Sequence, residues 1–139
     1  MTANSVFVDA THWIALLYPK DNNHEKAVAI DKKMREASLW TTELILIEIL
    51  DFFANKGLRS RQTAAKVVAA ICSHPKIRVL SLAETPFQTA FAEFRKFEDK
   101  GWSLTDCASF IIMRDNEIAA AIAYDRHFRQ AQFQVIDDE

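Results

Sequence analysis

Val6-Phe7-Val8-Asp9-Ala10-Thr11 sets the reading of the whole chain. The β-branched and aromatic run from Ser5 to Asp9 suits a buried first strand, and Thr11 opens a short apolar helix, Trp13 to Tyr18, stopped by Pro19. The same alternation recurs downstream. After the entry signal Asp21-Asn22-Asn23, His24 to Glu36 puts Ala27, Ile30 and Met34 on one helical face. Leu39 to Thr42 suits a second strand, and Glu43 to Lys56 a strongly apolar helix ended by Gly57. Ser60 to Ser73 reads as a helix N-capped by Ser60, and Ile77 to Leu82 as a third strand. Pro86 to Glu98 is an amphipathic helix whose Phe87, Phe91 and Phe94 are expected in the core. Ser103-Leu104-Thr105-Asp106 opens a helix to about Asn116, and Ile118 to Tyr124 suits a fourth strand buried on both faces. A short helical turn from Arg126 precedes an edge strand, Phe133 to Ile136. Strands separated by helical patterns predict an α/β fold with a central parallel sheet of four to five strands flanked by helices. No repeat or linker interrupts residues 1–139, which read as a single domain.

Half of the 139 residues are apolar, enough for the core of one domain. The only glycines, Gly57 and Gly101, cannot build a Gly-rich phosphate cradle. Cys72 and Cys107 have no partner at metal-ligand spacing and read as reduced core thiols, which excludes zinc. No signal-peptide pattern opens the sequence and no apolar run reaches the ~18 residues of a membrane span, so a cytoplasmic protein without a membrane partner is expected. With 17 basic and 19 acidic residues the net charge is −2, which by itself offers nucleic acid no attraction.

Four of those acids sit in apolar company. Asp9 ends Val-Phe-Val-Asp, Glu48 interrupts Leu-Ile-Leu-Ile-Glu-Ile-Leu, Asp106 precedes Cys-Ala-Ser-Phe-Ile-Ile-Met, and Asp125 ends Ala-Ala-Ala-Ile-Ala-Tyr-Asp. Drawing an ionised carboxylate into such surroundings costs several kcal/mol unless it is compensated. Ligands of open α/β sheets bind at the carboxyl ends of the strands, where Asp9 and Asp125 would converge if the first and fourth strands are neighbours. A divalent cation would offset the mutual repulsion, and oxygen ligands alone favour Mg²⁺ or Mn²⁺. Each acid also has a purely structural reading. Asp106 suits a helix start capped by Ser103, Asp9 and Asp125 suit turns after strands, and Glu48 suits an exposed stripe with Asp51 and Asn55. Glu43 reads as a first-turn helix acid more than as an additional ligand.

The pattern resembles the PIN domain, a family of metal-dependent nucleases that includes the VapC-type toxins. Val6-Phe7-Val8-Asp9-Ala10-Thr11 is similar to the family's opening strand and first acid, and Thr41-Thr42-Glu43-Leu44-Ile45-Leu46-Ile47-Glu48 to the segment carrying its second. Trp102-Ser103-Leu104-Thr105-Asp106-Cys107-Ala108-Ser109-Phe110 resembles the most specific stretch, and Tyr124-Asp125-Arg126-His127-Phe128 the closing one. One departure stands out: many members carry Thr or Ser two residues before the last acid, where this chain has Ala123. Thr11 and Ser103 are the remaining hydroxyl candidates, each equally suited to cap a helix.

The resemblance implies a PIN-like three-layer domain and a Mg²⁺- or Mn²⁺-dependent endoribonuclease acting on single-stranded RNA. Asp9, Asp106 and Asp125 would be metal ligands, with Glu48 completing the shell or serving as base. It also implies a toxin–antitoxin role, with a small antitoxin and a second copy of the chain as partners. The alternative is a catalytically weak RNA-binding or protein-interaction module with the same fold. An Asp-based phosphotransfer domain is weaker, because position 11 is Thr and not an acid. His12 and His127 read as bystanders or structural residues and not as catalytic ones. Trp13, Tyr124 and Phe128 offer rings for bases, although Tyr124 and Phe128 suit the core better. Basic contacts are expected from Lys56, Arg59, Arg61 and Lys66, or from Arg114 and Arg126, and surplus apolar surface from Phe52 and Phe53. Setting the four acids aside leaves 15 against 17 basic residues, a net of +2 for the rest of the chain.

Overall fold

The structure is a computed structural model that describes residues 4–138; residues 1–3 and 139, part of the expected domain span, lie outside the described residues. Its elements run β1 (Ser5–Val8), α1 (Ala10–Leu17), α2 (His24–Lys33), β2 (Ser38–Thr42), α3 (Glu43–Phe53), α4 (Leu58–Ser73) and β3 (Ile77–Leu80). After a 3-10 turn at Leu82–Glu84 come α5 (Phe87–Lys96), α6 (Leu104–Asp115), β4 (Ala120–Ile122), α7 (His127–Gln130) and β5 (Gln134–Val135).

The five strands form one wholly parallel sheet in the order β3-β2-β1-β4-β5. The chain thus winds outward from β1 through β2 to β3, then returns to the other side of β1 for β4 and β5. Right-handed crossovers carry the first helices to one face and the later ones to the opposite face. Accordingly α1 packs with α2 and α3, and α3 with α4, while α5 packs with α6 and α6 with α7. This is the expected α/β architecture, with β5 at the edge. No helix among the described residues is long and apolar enough to cross a membrane.

β1 is central and its Phe7 and Val8 are fully buried. On the α6 side the core is aromatic. Phe128 lies edge-on to Phe110 with centroids 4.9 Å apart and stands 6.3 Å from Phe7, and Phe110 meets Trp102 at 5.0 Å. Offset and edge-on pairs of this kind add to the area they bury.

Several local expectations are corrected. α1 starts at Ala10 and its N-cap is Asp9, one residue beyond β1, not Thr11. α2 stops at Lys33, short of Glu36. α3 ends at Phe53 with Ala54 as its C-cap, and Gly57, with φ of +99°, caps the start of α4 in place of Ser60. That left-handed backbone suits glycine alone. The third strand stops at Leu80, since Ser81 and Glu84 form a capping box that turns the chain. β4 and β5 are shorter than their apolar runs. Cys107 is buried, whereas Cys72 on α4 is exposed.

The largest correction concerns α5. Phe87, Phe91 and Phe94 are 54%, 44% and 46% exposed. The helix turns inward through Pro86, Ala90, Glu93 and Phe97 instead. Ala90 allows close approach to α6, Glu93 receives Arg114 of α6 at 2.5 Å, and Phe97 packs on Trp102 at 5.0 Å. The apolar period was read correctly, but the face that meets α6 lies beside it.

Truncation at the two kinds of phenylalanine separates them. Phe128→Ala is expected to cost about 3–5 kcal/mol by thermal or urea denaturation, and Phe94→Ala no more than about 0.5 kcal/mol. Equal losses at both positions would contradict the placement of α5.

Candidate active site

Strand order reverses between β1 and β4, which opens a crevice at their carboxyl ends. A cleft of about 580 Å³ lies there, and Asp9, Glu48, Asp106 and Asp125 all line it. Asp9 follows β1 and Asp125 follows β4. Backbone Asp9 N–H donates to the Ile122 carbonyl at 3.0 Å, tying the two strand ends together. α3 brings Glu48 and the start of α6 brings Asp106. Asp51 also lines the cleft, so its wall carries five carboxylates and neither Lys nor Arg. The exposed-stripe reading of Glu48 with Asp51 is thereby corrected in part, because the face they share is the cleft wall. Glu43 points elsewhere, accepting the Leu82 N–H at 2.7 Å.

Two of the acids are also helix caps. Asp9 Oδ2 accepts from the Thr11 backbone N–H at 3.3 Å and from the Thr11 hydroxyl at 2.7 Å. Asp106 and Ser103 form a capping box, with Ser103 N–H donating to Asp106 Oδ2 and Asp106 N–H to Ser103 Oγ, each at 3.0 Å. Helix amino termini place partial positive charge beside both carboxylates.

Burial pushes Asp9 up from 3.8 to about 6, with the charges of Asp106 and Asp125 adding to it and the Thr11 hydroxyl opposing. Burial likewise lifts Glu48 from 4.5 to about 7, helped by Asp9 and Asp106 and opposed by the Thr105 side chain. Asp106 is raised too, again chiefly by burial. Such a group gains most from a divalent cation, and its carboxylate oxygens are the hard donors that Mg²⁺ or Mn²⁺ accepts. The donor set therefore fits. Among the described residues, however, no three His, Cys, Asp or Glu side chains stand close enough to grip one ion as placed. The four acids share a cleft without closing into a coordination shell.

His127, expected to be a bystander or structural, lines the cleft and braces two of its acids. Its Nδ1 donates to Asp106 Oδ2 at 2.9 Å and stands 3.6 Å from Asp125 Oδ2, and its backbone N–H donates to Asp125 Oδ1 at 3.0 Å. The signal was its place two residues after Asp125, where an Asx turn folds its ring back. His12 points away: it is buried, desolvation lowers it to about 4, and its Nδ1 meets the Tyr124 hydroxyl at 2.7 Å. Trp13 and Phe128 are buried and unable to stack on a ligand, and Phe53 is core. Phe52, by contrast, lines the cleft. Arg114 is spent on Glu93, and Arg61 donates to the Ala54 carbonyl at 2.9 Å. Position 123 is a buried Ala, and the hydroxyl that reaches this corner is that of Thr11, which accepts the Tyr124 N–H at 3.3 Å.

Comparison with known proteins adds three findings. The profile of the family described as PIN domain matches residues 6–134. Among solved structures the chain is similar to Mycobacterium tuberculosis VapC20, a sarcin-ricin loop cleaving toxin, with a TM-score of 0.79, 27% identity, and 95% of this chain and 98% of that one covered. Its fold is also similar to FitAcB from Neisseria gonorrhoeae, with a TM-score of 0.64 and 16% identity over 96% of this chain and 97% of that one. PAE2754 from Pyrobaculum aerophilum gives a TM-score of 0.59 and 18% identity over 99% and 93% of the two chains. Among curated protein sequences none matches.

The raised carboxylates have a measurable consequence. Asp9 ionises later in the folded than in the unfolded state, so its charge destabilises the fold fully above pH of about 6 and not at all well below 3.8. Asp9→Asn keeps a capping oxygen and removes that charge. In EDTA at pH 8 it is expected to raise stability by roughly 1–3 kcal/mol, several degrees in Tm, and the gain should vanish near pH 4. A variant no more stable than wild type at pH 8 would refute the electrostatic account.

Proposed function

The chain belongs to the PIN-domain family, and from that premise we propose that it is a divalent-cation-dependent endoribonuclease cleaving single-stranded RNA. The carrying observation is the cleft at the β1–β4 reversal, walled by Asp9, Glu48, Asp51, Asp106 and Asp125 with no Lys or Arg among its lining residues. A polyanion enters such a place only when a cation neutralises it. We take residues 1–139 as one such domain, acting in the cytoplasm as the toxin of a toxin–antitoxin pair. The VapC20 likeness at 27% identity over nearly the whole chain supports that role. A homodimer and a small antitoxin are the partners that this reading carries with it.

Asp9, Asp106 and Asp125 are the residues that would hold Mg²⁺ or Mn²⁺. When bound there, the ion supplies charge neutralisation for the scissile phosphate and acidifies water. Glu48, raised to about 7 and half-buried, is the proton acceptor for the attacking water, since a base is most effective near the working pH. The water oxygen forms the new bond to phosphorus, its proton passes to a Glu48 carboxylate oxygen, and the opposite P–O bond breaks, leaving an alkoxide that solvent protonates. His127 fixes the orientation of Asp106 by its 2.9 Å hydrogen bond. Thr11 does the same for Asp9. No side chain is required as a covalent nucleophile.

A fluorescent single-stranded RNA tests the reading. Cleavage is expected with Mg²⁺ or Mn²⁺, to stop in EDTA and to return on adding Mn²⁺. Asp9→Asn and Asp106→Asn should remove nearly all activity, and Glu48→Gln should lower kcat by about 10²–10⁴-fold. Binding without cleavage by the wild-type protein would instead establish an RNA-binding module, and cleavage that survives EDTA would exclude the metal mechanism.

A further inference from the structure

The cleft does not end at the carboxylates. A second hollow of about 360 Å³ shares Thr11, Ile14, Phe52 and Asp125 with it and continues to Asp21, Asn23 and Tyr124. Its volume falls within the range of small-ligand sites. Its character differs from that of the acid cleft, because two aromatic rings, Phe52 and Tyr124, and the Asn23 amide line it beside the carboxylates Asp21 and Asp125.

We propose that this hollow seats the nucleobase next to the scissile phosphate, with Phe52 and Tyr124 packing on the base and Asp21 and Asn23 reading its edge. The inference rests on the nuclease reading above and adds base selection to it. Both rings are fixed in advance. Phe52 is held by edge-on contacts to Tyr18 at 5.5 Å and to Phe53 at 4.9 Å. Tyr124 is held through its hydroxyl on His12 at 2.7 Å. Fixed rings give up little entropy when a base packs on them, and every base has a face to offer.

The cations suit the adjoining backbone. Lys56 Nζ stands 4.3 Å from the Phe52 ring centre, and Lys26 Nζ stands 5.8 Å from that of Tyr124 while also pairing with Asp137 at 3.0 Å. Lys56 thus places one ammonium group beside the Phe52 ring, while the Lys26 charge is shared with Asp137. Specificity follows from Asp21. Its Oδ1 accepts the Asn23 N–H at 2.8 Å, which fixes the carboxylate. A carboxylate is an acceptor only, so it matches the exocyclic amine of adenine, cytosine or guanine, whereas uracil offers it only N3–H between two repelling carbonyls. Asn23 is free to contribute its amide, since it makes no side-chain cap on α2.

The test maps the cuts made in a randomised single-stranded RNA by the wild-type protein and by Asp21→Ala, Asn23→Ala and Phe52→Ala. In parallel, anisotropy with Ca²⁺ in place of Mg²⁺ follows the binding of fluorescein-labelled penta-adenylate, penta-cytidylate and penta-uridylate. One position beside the cut should disfavour uracil by about tenfold, and Asp21→Ala should flatten that position alone. Phe52→Ala should raise KM by about tenfold with the base bias retained. Asn23→Ala, which removes no cap, guards against a folding defect at Asp21 and should weaken the same bias. If the wild-type protein cuts RNA and the position shows no bias, or a bias that neither Asp21→Ala nor Asn23→Ala alters, the base seat is overturned and the nuclease reading stands. If it does not cut, the nuclease reading falls and the oligonucleotide arm decides. Tighter binding of adenylate and cytidylate than of uridylate, lost in Asp21→Ala, upholds the seat, and equal binding overturns it.

Discussion

Asp9 stands where the central strand of the sheet runs out, 4% exposed, with its N–H given to the Ile122 carbonyl of the neighbouring strand at 3.0 Å. A carboxylate in that position is costly, and its surroundings make it more so. Asp106 and Asp125 act on it electrostatically, and Glu48 feels its charge in turn. The fold offers partial compensation in the form of helix termini, since Asp9 caps α1 and Asp106 closes the capping box that Ser103 opens on α6. What caps cannot do is neutralise several charges in one cleft. The remaining imbalance is one that a divalent cation would offset.

The same two acids show why a structural role and the proposed role in the site need not compete. A capping carboxylate is held in one orientation by backbone donors, and a metal ligand needs that fixed orientation. Asp106 Oδ2 is committed to Ser103 and His127, and Asp9 Oδ2 to Thr11. In each case one oxygen is anchored to the chain, which aims the carboxylate into the cleft. Reading Asp106 as a helix-start acid was therefore correct and yet did not count against its part in the site.

Most of the architecture was legible in the sequence because strand and helix periods alternate cleanly. Val6-Phe7-Val8 and the run Ile118 to Tyr124 read as buried strands, and the second holds β4 at Ala120–Ile122. The four acids stood out for the same reason, as charges placed where the pattern asks for apolar residues. The rest depended on facts that no local pattern carries. Which face of α5 meets α6 is decided by Ala90 and the Glu93–Arg114 pair, contributed by two helices, so a stripe of three phenylalanines misled. His127 looked like any exposed helix-start residue until its turn folded it onto Asp106. Phe52 and Phe53 are neighbours in sequence, yet one lines the cleft and the other is core, because adjacent residues of a helix point about 100° apart.

Ala123 shows how such a site tolerates a departure from the pattern it resembles. A hydroxyl at that position would approach the acids from β4, and here Ala123 is buried with none to give. Thr11 approaches the same corner from α1. Its proton goes to Asp9 Oδ2 at 2.7 Å, and its oxygen accepts the N–H of Tyr124, the residue between Ala123 and Asp125, at 3.3 Å. One side chain thus bridges the ends of β1 and β4, tying the first acid to the backbone that presents the last. The bridge depends on where α1 begins: because Asp9 is the N-cap, Thr11 falls in the first turn, where a hydroxyl can reach back to the capping carboxylate. A start two residues later would have carried it away from the corner. The geometry of the acids is therefore held by the helix start together with the β1–β4 pairing.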